Sequence, residues 1–199
     1  SSSPLGVGNS SFRTTFPNKY QLVDTVPFGC WFKEIFEKVG NFDEELIRNQ
    51  DDEHNQRILK AEMEIHLIPG STISYYARQS FSAIAKMTFQ YGLFKPLVNI
   101  KTKKITTYRQ LAPPLLVLYL ILSLILLFIE TPISLVMFSV LLIAYISASI
   151  IFFLIRKINK NLLIYFILGI FTCHISYGAG YLRGLFFGTG SNKISISRS

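Results

Sequence analysis

Three carboxylates stand in a row, Asp51, Asp52 and Glu53, directly after Gln50. They open a segment, residues 50–61, whose pattern predicts a helix with Ile58 and Leu59 turned inward. A carboxylate held this way can take the proton from a hydroxyl that is becoming a nucleophile, which is general-base chemistry. Acids in a first helical turn also act as plain partners of the helix dipole, with Asn49 as the predicted N-cap. The cluster alone leaves both roles open. After Glu64 the only acidic residue is Glu130, so carboxylate chemistry belongs to the first third of the chain. His54, His66 and His174 are isolated and no CxxC occurs, so no metal site is predicted from this chain's own residues. Cys30 lies in the polar part and Cys173 in an apolar run, which predicts no disulfide.

The elements that must position the cluster are short. Phe32, Ile35, Phe36 and Val39 predict an amphipathic helix over residues 31–39, stopped by Gly40 as a left-handed cap. Asn41 to Glu44 then form a turn. Residues 64–68 read as a strand stopped by Pro69-Gly70, and residues 72–76 as a second strand. From Ser80 to Phe94 the helical period returns. Phe81, Ile84, Ala85 and Phe89 share one face, and Ser82, Lys86 and Gln90 the other. Such a helix just before an apolar run is expected to lie in the membrane interface, with an ordinary core helix as the other reading.

Three apolar runs follow: 113–129, 133–155 and 162–182. Each is long enough to cross a hydrocarbon core of about 30 Å, the first only with help from Leu111 and Ala112. Mean hydropathy is +0.36, too apolar for an ordinary soluble domain. The link Glu130-Thr131-Pro132 makes the first two runs a tight hairpin. For the third, a re-entrant segment broken at Gly178 and Gly180 is the alternative to a full crossing.

The formal charge is +8. Lys101, Lys103, Lys104 and Arg109 precede the first run, and Arg156, Lys157 and Lys160 separate the second from the third. Cations so placed meet anionic lipid headgroups, so membrane lipids, not nucleic acid, are the expected partner. The positive-inside rule puts both stretches, and with them residues 1–111, in the cytosol of a plasma-membrane protein, and the tail outside. The opening from Ser1 is loop-like and lacks the regions of a signal peptide, which suggests a longer or split natural chain.

Certain spacings carry a resemblance. Gly29-Cys30-Trp31-Phe32, then Val39-Gly40-Asn41-Phe42-Asp43-Glu44, then Asn49-Gln50-Asp51-Asp52-Glu53 with Arg57, resembles the acceptor-side half of family 2 glycosyltransferases. Tyr75-Tyr76-Ala77-Arg78, Gln90-Tyr91-Gly92 and His174-x-x-Tyr177-Gly178-x-Gly180 before the end of the third run are similar to the ExoA-type membrane enzymes of succinoglycan and exopolysaccharide biosynthesis. The likeness runs from about Ser3 to Arg183.

The resemblance implies a partial α/β domain of GT-A type over residues 1–79, an interfacial helix and basic linker over 80–111, three transmembrane helices over 112–183 and a tail over 184–199. It implies inverting transfer from a nucleotide sugar to an acceptor, expected here to be a lipid-linked glycan. Asp51 stands at the base position, with Asp52 its rival, while Gln50 replaces the Glu of many relatives. Gly29, Cys30, Gln50, Glu53 and Arg57 fall on the acceptor side. Arg78, Gln90 and Lys95 are candidates for a phosphate or headgroup, although Gln90-Tyr91-Gly92-Leu93-Phe94 departs from the Gln-x-x-Arg-Trp of processive relatives. The complete enzyme is expected to use Mg or Mn through an Asp-x-Asp, and no Asp-x-Asp occurs in these 199 residues. The donor half is therefore expected outside this chain. A non-catalytic membrane subunit and a small transporter or scaffold remain the rival readings.

Overall fold

The computed structural model describes residues 20–26, 29–70, 74, 76, 78–105, 107–129, 132–155 and 159–190. The second predicted strand, 72–76, falls largely outside them, as do Glu130-Thr131, Arg156-Lys157, and the ends of the chain.

Helices dominate. The order is β1 (Gln21–Leu22), α1 (Lys33–Val39), α2 (Gln50–Lys60), β2 (His66–Leu67), α3 (Phe81–Thr102), α4 (Ala112–Phe128), α5 (Pro132–Ile155) and α6 (Leu163–Phe187). Short 3₁₀ turns at Tyr108–Leu111 and Lys160–Leu162 lead into α4 and α6. The expected α/β domain reduces, among the described residues, to one antiparallel pair, with Gln21 opposite Leu67 and Leu22 opposite His66. Two strands of two residues do not make a stable sheet by themselves.

The apolar runs behave as their composition requires. Three helical stretches, Tyr108–Phe128, Ile133–Ile155 and Lys160–Phe187, are long and apolar enough to cross a membrane. Their leucines, isoleucines and phenylalanines are largely exposed. In water that surface would be costly, whereas lipid tails cover it. This is a membrane protein. The α4–α5 hairpin is tied by the Tyr119 hydroxyl, which donates to the Met137 carbonyl at 2.8 Å. Between α5 and α6 the Tyr145 hydroxyl lies 3.1 Å from His174 Nδ1, so His174 serves helix association.

The third apolar helix is continuous through Gly178 and Gly180, contrary to a break there. Those glycines instead admit neighbours. A Cβ added at Gly178 would stand 2.4 Å from the Pro113 carbonyl oxygen of α4. At Gly180 it would stand 2.1 Å from that of Phe89, and at Gly184 the same distance from that of Leu93. Gly92 of α3 meets the Tyr177 carbonyl oxygen in return. Small residues of this kind let helix backbones touch.

The α3 helix is longer than its periodicity predicts. It runs past Phe94, through Pro96, to Thr102. Gly169, Gly180 and Gly184 meet Phe81, Phe89 and Leu93 in turn, so α3 and α6 advance in the same direction. Lys101, at the end of α3, and Lys160, before α6, also lie toward opposite ends of α6.

Leu46, Leu93, Phe94 and Val98 form the buried core where the loop before α2 meets α3, with Ile47, Phe89 and Leu97 packed on it.

Candidate functional site

The acidic cluster opens α2 as predicted, but its cap differs. Asn49 is left-handed, with φ 63° and ψ 21°, and its side chain caps nothing. Its Nδ2 donates instead to the Tyr91 carbonyl at 3.1 Å. Asparagine tolerates this conformation better than most residues. The start of α2 is thus pinned to α3 rather than closed on itself.

The three carboxylates separate by role. Asp51 is exposed, accepts only the Asp52 backbone N–H at 2.9 Å, and has no ion pair among the described residues. Asp52 is largely buried and paired with the Lys95 ammonium of α3. It also lies within electrostatic reach of the buried Tyr177 in α6. Glu53 is buried and grips Arg57, with Arg57 Nε at 2.9 and 3.1 Å from its two oxygens and Nη2 at 2.9 Å. Arg57 also donates to the Val39 and Asn41 carbonyls.

The residues expected on the acceptor side have defined surroundings. Glu53 and Arg57 are spent on each other and on the turn after α1. There Gly40, at φ 81° and ψ 170°, donates its N–H to the Phe36 carbonyl at 2.9 Å. The φ is positive, but the extended ψ is not the left-handed cap expected. Gly29 lies under the Trp31 indole, where a Cβ would come within 2.4 Å of the ring. Its smallness accommodates that fold-back. Cys30 is exposed with a free thiol. Gln50 is exposed beside Asp51.

Of the phosphate candidates, Lys95 is neutralised by Asp52. Gln90 Oε1 accepts from Arg48 Nε at 3.0 Å, and Arg78 is exposed just before the α3 cap. The structure brings Gln50, Asp51, Asp52, Gln90 and Lys95 together along the α2–α3 seam. It shows no contact from Arg78 to them.

Two features had no local signal. Lys101 bridges Asp43 and Glu45. These hydrogen-bonded carboxylates raise the Lys101 pKa. Burial pushes Asp43 up, but Lys101 and the Glu45 N–H outweigh it and hold the carboxyl below its ordinary range. His54 is fully buried among Trp31, Phe36 and Phe42, with ring centroids 5.4, 5.3 and 4.6 Å away. Burial first, and then the Arg57 charge, lower its pKa, which keeps the imidazole neutral.

The carboxylates do not fit a divalent ion. Asp52 and Glu53 are each engaged by a cation, and Asp51 is exposed with no ion pair among the described residues. Among the described residues no group of three His, Cys, Asp or Glu could hold a metal.

Comparison with protein-family models, curated proteins and solved structures finds no match to this chain.

Proposed function

We propose that this chain is the acceptor-side and membrane part of an inverting glycosyltransferase that builds an exopolysaccharide or related cell-envelope glycan at the cytosolic face of the plasma membrane. One observation carries the reading. Asp51 alone among the three clustered carboxylates is exposed and unpaired among the described residues, and it opens a helix of eleven residues. A carboxylate there sits at the positive end of the helix dipole, and its exposure leaves it open to an approaching hydroxyl.

In this reading the acceptor hydroxyl oxygen attacks the anomeric carbon of the nucleotide sugar. The new glycosidic bond forms as the bond to the nucleotide diphosphate breaks, and the hydroxyl proton passes to Asp51. Asp52, held by Lys95, positions the start of α2 and takes no proton. Donor and metal sites belong to a nucleotide-binding unit outside these residues, because this chain's carboxylates do not fit a metal. A lipid-linked acceptor suits a base whose neighbouring helix, α3, is packed on an apolar one.

The absence of an Asp-x-Asp from the sequence favours one rival, a non-catalytic membrane subunit. The test uses membranes containing the chain, alone and with a nucleotide-binding unit encoded beside it, given labelled nucleotide sugars. Label entering the lipid extract in the combined membranes supports the enzyme reading. No transfer from any donor in either arrangement supports the rival.

A further inference from the structure

We propose that Asn49 is a positioning residue: it fixes the first turn of α2 on α3 and so holds Asp51 in place. Only its effect on reaction rate rests on the glycosyltransferase reading. Its effect on the order of α2 does not.

The backbone of Asn49 is unusual for its place. Among the described residues three other than glycine have positive φ: Asn49, Glu62 and Lys103. Glu62 follows the end of α2 and Lys103 ends α3, where a left-handed residue commonly stops a helix. Asn49 stands at a helix start, where the flanking residue is normally extended. Ser80 shows the ordinary arrangement before α3. It has φ −131° and ψ 150°, and its Oγ accepts the Ala83 N–H at 3.2 Å. Asn49, at φ 63° and ψ 21°, gives up such a cap. A left-handed residue other than glycine persists only where its surroundings hold it, and such residues cluster where geometry serves function.

What holds Asn49 is α3. Its Nδ2 donates to the Tyr91 carbonyl at 3.1 Å. Residues to either side reach the same stretch. Arg48 Nε donates to Gln90 Oε1 at 3.0 Å, and its guanidinium lies 5.8 Å from the Tyr91 ring centroid. Asp52 is paired with Lys95. Residues 48, 49 and 52 thus end on residues 91, 90 and 95 of one helix. That stretch is itself fixed, because Gly92, Leu93 and Phe94 are buried and Gly92 lies against the Tyr177 carbonyl of α6. Asp51 is exposed inside this clasp. The Asn49 carbonyl also accepts the Glu53 N–H at 3.1 Å, so one residue both starts α2 and ties it to α3. A reacting group must keep its place, since a shift of about 1 Å can cost on the order of 100-fold in rate.

Amide hydrogen exchange of the purified chain in neutral detergent micelles tests the clasp, with the Glu53 N–H as its reporter. Asn49→Ala removes the side-chain amide and disfavours the left-handed backbone, whereas Asn49→Gly removes only the amide. Asn49→Ala is expected to speed exchange at residues 53–55 roughly three- to tenfold, and Asn49→Gly less. Asn159→Ala, which uncaps the turn before α6, should leave those residues unchanged. Circular dichroism confirms that each variant is folded. In membranes that hold the chain with its donor-binding unit, Asn49→Ala should lower kcat at least about tenfold while the donor KM stays within about twofold. Asn49→Gly should recover part of the loss. Unchanged exchange in Asn49→Ala, or full kcat in that variant where Asp51→Asn is inactive, overturns the proposal. If Asp51→Asn keeps the full rate, the base assignment fails, while faster exchange at residues 53–55 still upholds Asn49 as the anchor of α2.

Discussion

The Lys95 ammonium of α3 is ion-paired with the Asp52 carboxylate of α2, across 43 residues of sequence. The pair is largely buried, with side chains 13% and 19% exposed, and it divides two adjacent aspartates into a positioned one and a free one. If it fixes α2 on α3, Asp52→Asn and Lys95→Gln should each destabilise the fold by about 1–3 kcal/mol. The double variant should cost less than the sum, a coupling of about 0.5 kcal/mol or more. Denaturation in mixed micelles across this cycle measures it, and strict additivity would show that the pair contributes nothing.

Arg57 ties three parts of the polar region: Glu53 on its own helix and the Val39 and Asn41 carbonyls of the preceding turn. Lysine keeps the charge but cannot supply this fork. Arg57→Lys is therefore expected to cost about 1.5–3 kcal/mol. Urea titration reads the change, and a variant as stable as the parent would argue that Arg57 faces a ligand.

The closest glycine contacts between α3 and α6, at Gly92, Gly180 and Gly184, leave no room for a Cβ. Gly92→Ala and Gly180→Ala each place a methyl carbon 2.1 Å from a backbone oxygen, far inside van der Waals contact, so the helices must move apart. An overpacking penalty of about 1–3 kcal/mol is expected. Gly169→Ala, whose added Cβ would sit at an ordinary 3.8 Å from Phe81, is the neutral comparison. Thermal melts in detergent separate these outcomes.

His54 makes the polar region sensitive to acid. Its folded pKa is below the ordinary 6.5, so the unfolded chain takes up a proton that the folded one resists. The stability concerned is fully present above pH 6.5 and is lost as the pH falls from there through the lowered folded value. His54→Phe, which keeps a ring among Trp31, Phe36 and Phe42, should flatten that loss. Unfolding at about pH 7.5 and about pH 5.5 measures it.

Local pattern made some of this legible. The α2 start, the α1 helix and the three apolar helices follow from residue periodicity and hydropathy, and their ends agree with the structure to within a few residues. Features set by distant partners were not legible. Asn49 reads as a cap because asparagine usually is one, yet its amide is drawn to Tyr91. The pairing of α3 with α6 could not be read locally, because its glycine contacts join residues more than 80 positions apart. Glu53 reads as part of a reactive cluster until Arg57 is seen to occupy it.

The central claim is that Asp51, not Asp52, is the base. The direct measurement is the rate of sugar transfer to lipid acceptor in membranes that hold the chain with its donor-binding unit, compared for Asp51→Asn and Asp52→Asn. Asp51→Asn should lower the rate at least about 100-fold with the fold intact, while Asp52→Asn, which loosens α2, should cost less than about tenfold. An unchanged rate in Asp51→Asn, or the larger loss in Asp52→Asn, would contradict the account.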